Sequence, residues 1–216
     1  MSKMKKSLLA ASVLAVTAMG SGPVLAEISA NVGVTSNYMW RGMTQTNDQA
    51  AISGGLDFEH ESGFYVGTWA SNVSWGGEEG DETGYELDVY GGFAGEIGEF
   101  GYDVGYIKYM YPSYDDENFH EFYVGGSYSV FSAMISRDPK NKNNYGQVGV
   151  DFDLPQGIGL GLHAGRYNYD GGFKVNDYAV TLSKDDFSFA VTNTNKNEEL
   201  GQSDNYRVAV SWSKSF

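Results

Sequence analysis

The sequence predicts an all-β fold: an antiparallel up-and-down transmembrane β-barrel of about twelve strands. Three observations carry that expectation. Apolar residues alternate with polar ones along most of the chain, tight connections alternate with longer ones, and the last alternating segment stops on Phe216. A period of two means strand, because successive side chains on a strand point to opposite faces.

The first residues come before any strand. Lys3, Lys5 and Lys6 precede an uncharged run over residues 7–18, and Ser21-Gly22-Pro23-Val24-Leu25-Ala26 follows it. Charged, apolar and small-residue regions in that order predict a secretory signal peptide, residues 1–26, cleaved after Ala26. The apolar run falls short of the roughly 20 residues that a transmembrane helix needs. The expected mature chain, residues 27–216, is one barrel domain.

The clearest strand faces are Ile28, Ala30, Val32 and Val34; Ile52, Gly54, Leu56 and Phe58; and Tyr85, Leu87, Val89, Gly91 and Phe93. Phe122, Val124, Gly126, Tyr128 and Val130 continue the pattern, then Val148, Val150, Phe152 and Leu154, then Leu160, Leu162 and Ala164, then Tyr178, Val180 and Leu182. Residues 64–73, 100–111 and 131–137 alternate less cleanly, and residues 187–194 are compatible with either face.

Tight connections are expected near residues 60–63, 95–99, 129–131, 155–157 and 184–186. Longer polar ones are expected near 39–48, 74–83, 112–118, 138–144, 170–176 and 195–204. Short turns at one end and longer loops at the other characterise outer-membrane barrels. Pro112, Pro139 and Pro155 all fall in connections. Strands that need every N–H for the ladder demand this.

A soluble sandwich would show the same alternation with its apolar faces turned inward. Loop asymmetry and the C-terminus favour the barrel. Tyr206, Val208, Val210, Trp212 and Phe216 share one face, which resembles the terminal signal of outer-membrane proteins. An even strand number then puts both termini on the periplasmic side of a Gram-negative outer membrane. Lipid, lipopolysaccharide and the barrel assembly machinery are the expected partners.

The segment Ser36-Asn37-Tyr38-Met39-Trp40-Arg41-Gly42-Met43-Thr44-Gln45-Thr46, followed by Ala51-Ile52-Ser53-Gly54-Gly55, resembles the opening of the TorF-type porin family of proteobacterial outer-membrane proteins. Gly67, Trp69, Ser71-Asn72, Glu86-Leu87-Asp88, Gly105-Tyr106, Tyr111-Pro112 and Glu121 extend the resemblance over most of the mature chain. It implies a porin-like barrel and brings neither a catalytic residue nor an established substrate.

Composition narrows the function classes. Without the three leader lysines the chain has 11 basic residues against 28 acidic ones, a formal charge of −17. A polyanion such as nucleic acid is therefore no expected partner. The absence of cysteine excludes disulfides, thiolate metal sites and cysteine nucleophiles. His60, His120 and His163 are scattered, so no metal site and no cofactor is expected. An outer-membrane lipid hydrolase would need a serine and an acid at defined spacing from His163, and no such motif is present. The acidic runs Glu78-Glu79-Gly80-Asp81-Glu82 and Asp115-Asp116-Glu117 lack the alternating ligands of a calcium loop and read as solvated outer loops.

The polar faces supply the candidate site. Asp57, Glu86, Asp88, Glu121, Asp151 and Asp153 are expected to line the lumen, with Arg207 among few bases. Tyr90, Tyr109, Tyr123 and Tyr167 are expected beside them, with Asp103, Tyr145, His163 and Asp177 on the same face. Such a lumen has a negative field that favours cations, and its tyrosines either narrow the bore or close it. Trp40 and Arg41 form an expected rim motif. The tryptophan suits an interfacial belt, and the arginine suits a lumen carboxylate or a lipid phosphate. The expected function is a porin-like, non-enzymatic channel for small neutral or cationic solutes. A closed barrel with a structural or surface-interaction role is the alternative.

Overall fold

The computed structural model describes residues 26–77, 80–112, 115–196, 200 and 206–216. The chain opens with β1 (Ala26–Thr35), and a short hairpin of β2 (Met39–Trp40) and β3 (Met43–Thr44) follows. Next come β4 (Ala51–His60), β5 (Phe64–Gly77), β6 (Gly80–Ile97), β7 (Phe100–Met110), β8 (Phe119–Tyr128) and β9 (Phe131–Asp138). The remaining strands are β10 (Asn143–Leu154), β11 (Ile158–Asn168), β12 (Lys174–Lys184), β13 (Phe187–Thr194) and β14 (Arg207–Ser215).

All but β2 and β3 form one closed antiparallel barrel of twelve strands, each paired with its neighbour in sequence along the wall. Closure joins β1 to β14, from Asn31↔Ser215 to Thr35↔Ser211. Ala30 and Phe216 then exchange backbone hydrogen bonds of 3.1 and 2.9 Å. A closed ladder leaves no strand edge for lipid to meet, which is what permits strands to cross a bilayer.

The register assigns the faces. Ile52, Leu56, Val104, Val124, Val148, Val180 and Val210 stand exposed on the outer surface, while Tyr65, Tyr90, Glu86, Asp88, Glu121 and Tyr123 are buried on the inner one. Apolar outside with polar and aromatic inside is inverted relative to a soluble domain and matches a barrel solvated by lipid. Around the short-turn end Phe64, Phe100, Tyr128, Phe131 and Phe187 are exposed on the outer face. They form the aromatic girdle expected where strands leave the hydrocarbon. The ambiguous strand β13 resolves with Phe187 and Phe189 outward and Thr192 and Thr194 inward.

The tight connections fall where alternation and turn residues predict them. Ser129, Gln156 and Asp185 adopt positive φ of 56°, 68° and 52° in three of these turns. The opposite end departs from expectation in two ways. Residues 74–83 do not form an open polar loop. Instead β5 and β6 extend their ladder from Ser74↔Thr83 to Gly77↔Gly80, beyond the last β4–β5 pair at Ser53↔Ser71. A two-stranded ribbon pairs its backbone groups across the ladder, which an acidic composition does not forbid. Residues 78–79 lie outside the described residues, as do 113–114 in the connection after β7, 197–199 and 201–205 in the connection after β13, and residues 1–25, all but the last residue of the leader predicted over 1–26. The connections after β9 and β11 shorten to residues 139–142 and 169–173.

Candidate functional site

The segment between β1 and β4 folds inward. Trp40 pairs with Met43 across Arg41-Gly42, whose φ values are +50° and +77°. Positive φ at both central residues defines the tight hairpin turn that matches strand twist, and glycine supplies its second position without strain. The hairpin is braced at its base. Asn37 Nδ2 and Arg207 Nε donate to Asp48 Oδ1 at 2.7 and 2.9 Å. The backbone N–H of Ser74 donates to the Gln45 carbonyl at 2.8 Å.

Its tip reaches the far wall. Arg41 Nη1 and Nη2 donate to Glu121 Oε1 and Oε2 at 2.7 and 2.5 Å, and Nη2 donates to Ser136 Oγ at 3.3 Å. The guanidinium also stacks 4.2 Å from the Trp40 ring and 4.1 Å from that of Tyr145. Both ends of the ion pair are buried, with side chains 5% and 3% exposed. Burial opposes the charge on Arg41, but the field and hydrogen bonds of Glu121 more than offset it, leaving its pKa above the ordinary arginine value.

Trp40 therefore does not join the outer aromatic belt. Its ring meets Tyr109, Phe119 and Tyr167 edge-on at 5.9–6.2 Å. Of the two partners expected for Arg41, the structure gives it the lumen carboxylate. The physical reason is local: the hairpin folds into the barrel, where Glu121 on the inner wall offers a buried bidentate countercharge and lipid phosphates do not reach.

The expected inner residues divide into three environments. Near the long-loop end, Glu86 and Asp88 are 1% and 0% exposed. Glu86 Oε2 and both Asp88 carboxylate oxygens lack hydrogen-bond partners. They are closed off from water, with Tyr38 and Tyr111 beside them. The Tyr38 hydroxyl, outside the barrel strands, is raised well above its usual pKa by burial and then by Glu86 and Asp88, so it stays protonated.

In the middle, aromatic residues fill one side. Tyr65, Tyr90, Tyr109 and Tyr123 pack with Ile107 on β5–β8. The Tyr65 hydroxyl donates to Asp103 at 2.7 Å and contacts that of Tyr123, while the Tyr90 hydroxyl donates to Asp57. Tyr145 and Tyr167 pack against Val175 on the other side. Toward the short-turn end, Asp151 is half-buried and Asp153 exposed. Arg207 is buried at the long-loop end of β14, committed to Asp48.

Tyr65 and Tyr38 escape a reading based on alternation alone: the first lies in a strand with unclear pattern, the second in a loop. His163 Nε2 donates to Asp177 Oδ1 at 2.7 Å, and Tyr145 donates to the same oxygen at 3.1 Å. The histidine is thus engaged by an acid and a tyrosine rather than by a serine. Among the described residues no group of three or more histidine or acidic side chains is placed to hold a metal ion. Below the hairpin, a partly open cavity of about 350 Å³ is bounded by Tyr38, Arg41, Trp69, His163 and Asp177 and by small side chains of β12–β14.

Comparison with known proteins agrees on the architecture. No curated protein matches the chain by sequence. Among solved structures, the KdgM porin superposes with a TM-score of 0.57 at 11% identity, over 87% of this chain and 98% of that one. A KdgM porin in complex with disordered oligogalacturonate gives 0.56 at 12% identity, over 88% and 98%. A further structure, from work on in-meso crystallisation of membrane proteins, gives 0.55 at 8%, over 88% and 83%. At such identities the likeness shows a shared porin-type barrel fold. Residues 17–206 match a family described as bacterial protein of unknown function (Gcw_chp), and the chain belongs to that family.

Proposed function

We propose that this protein is a porin-like outer-membrane channel for small neutral or cationic solutes, with the β2–β3 hairpin as its internal constriction. One observation carries the reading: a closed barrel with an apolar outer wall keeps a cavity of about 350 Å³ beneath a loop folded into its lumen. A barrel filled solely for stability has no need of such a space.

The short turns and both termini face the periplasm, the leader over residues 1–26 having been removed. Lipid and lipopolysaccharide surround the wall, and the barrel assembly machinery inserts it. The TorF-type resemblance agrees with this reading. Charge narrows the solute. Asp57, Asp103, Asp151 and Asp153 lie toward the short-turn end, and an acidic mouth concentrates cations. It disfavours an anion such as the oligogalacturonate of the KdgM complex.

The test is the reversal potential of the refolded barrel in a planar bilayer under a potassium chloride gradient. Cation preference that weakens in Asp151→Asn with Asp153→Asn is expected. An unchanged reversal potential in that variant removes these carboxylates from the path. The alternative, a closed barrel with a structural role, draws on the same wedged hairpin, and a folded barrel that never conducts would favour it.

A further inference from the structure

The inner wall is asymmetric. On β5–β8 it carries Tyr65, Tyr90, Ile107, Tyr109 and Tyr123, each 4–5% exposed and packed together. On β12–β14 the register instead sets small side chains edge to edge: Thr181↔Ala190, Ala190↔Ala209, Ala179↔Thr192 and Ser188↔Ser211. The cavity lies against this second wall. On that side it is lined by methyl and hydroxyl groups, and Tyr38, Trp69, Tyr145 and Trp212 are among its other lining residues.

The charges bordering the cavity are compensated. Arg41 is taken by Glu121, and Asp177 Oδ1 by His163 and Tyr145. One carboxylate oxygen is left over. Asp177 is 2% exposed, borders the cavity and keeps Oδ2 without a hydrogen-bond partner. That oxygen sits over Gly165, where an added Cβ would approach it to 2.4 Å. Leaving a buried acceptor unpaired is unfavourable, and a turn of the carboxylate from Gly165 toward the cavity it borders would let a ligand hydroxyl satisfy it.

We infer that the solute path runs along the β12–β14 wall, and that the cavity is a subsite for a small neutral polyhydroxylated solute of about monosaccharide size. This rests on the porin-like reading and specifies where solute passes and what it is. The chemistry fits. Hydroxyl-bearing walls exchange hydrogen bonds with a polyol, an aromatic face covers its C–H surface, and an unpaired carboxylate oxygen accepts from it. The volume lies at the lower end of the roughly 300–1,000 Å³ typical of small-molecule pockets. Cations are gathered at the acidic mouth, whereas both charged side chains bordering the cavity, Arg41 and Asp177, already have partners.

The chain contains no cysteine, so single cysteines report without background. In the refolded full barrel, Ala190→Cys and Ala209→Cys should react with a small water-soluble methanethiosulfonate, and Ile107→Cys should react at least tenfold more slowly. Glucose at high concentration should slow the reaction of Ala190→Cys severalfold, and potassium gluconate of equal osmolarity should not. Ala190→Trp should reduce glucose-driven swelling of proteoliposomes by more than half. Adding Asp177→Asn to Ala190→Cys should weaken the protection that glucose gives the thiol.

The two readings fail separately. Glucose uptake that is indifferent to Ala190→Trp, with an inert thiol in Ala190→Cys, overturns the path while leaving a porin. Reaction of Ala190→Cys with glucose protection but without uptake or conductance keeps the subsite and overturns the channel. Equal reactivity of Ala190→Cys and Ile107→Cys, or protection by gluconate equal to that by glucose, overturns the assignment of wall and ligand.

Discussion

Removing the ion pair at the hairpin tip is the perturbation with the largest structural consequence. In Arg41→Ala the Glu121 carboxylate, 3% exposed, loses both guanidinium bonds of 2.7 and 2.5 Å. Breaking a buried pair from one side costs about 3–5 kcal/mol, because the remaining charge stays uncompensated. Loss of the Trp40 and Tyr145 ring contacts adds roughly 0.5–1 kcal/mol for each. Glu121→Gln strands the guanidinium in turn and should cost a comparable amount. With both partners changed, neither charge is orphaned, so the double variant should be less destabilised than the sum of the singles by about 2–3 kcal/mol. Urea unfolding in lipid vesicles, followed by tryptophan fluorescence, measures all four corners of the cycle. The same variants in a bilayer should show larger or noisier conductance, because the released hairpin no longer holds the lumen. Additive single effects below about 0.5 kcal/mol, with unaltered conductance, would refute the hairpin as an anchored constriction.

Other substitutions probe separate parts of the account. Gly42→Ala places a methyl at positive φ, 2.6 Å from Thr194 Cγ2 and 2.8 Å from Asp177 Cβ; it should loosen the docked turn by about 1–3 kcal/mol, read from the same unfolding curves. Leu162→Arg, on the outer face of β11, should destabilise the barrel in bilayers by about 2–4 kcal/mol if it sits near the midplane, and equal stability to wild type would contradict the assigned faces. Glu86→Gln with Asp88→Asn should raise stability and leave the reversal potential unchanged, since both carboxyls are sealed from water. A changed reversal potential would put them in the path after all.

Much of the wall is legible in sequence because each strand is solvated by lipid on one side. Ile52, Leu56, Val148 and Val180 announce the outer face by period alone, and Pro112, Pro139 and Pro155 mark connections because no ladder can use them. Glu86, Asp88 and Glu121 are likewise assigned inward by parity. Parity does not say what covers an inner residue. The isolation of Glu86 and Asp88 follows from Tyr38 and Tyr111, which alternation does not connect to them. The hairpin is hidden for a similar reason. Arg41 finds its countercharge 80 residues away in sequence, and nothing in residues 36–50 names Glu121 as the destination. Arg-Gly between Trp40 and Met43 is the one local signal of a tight turn with apolar flanks. The asymmetry of the bore is encoded as Ala179, Ala190 and Ala209 at inward positions, but small residues on one wall acquire meaning only when the opposite wall is seen to be filled.

The most direct test is single-channel recording of the refolded mature barrel in a planar bilayer, with folding verified on the same sample. Small, steady, cation-favouring steps that enlarge in Arg41→Ala are the expected result. Silence from the folded wild type, persisting in Arg41→Ala, would contradict a channel constricted by the infolded hairpin.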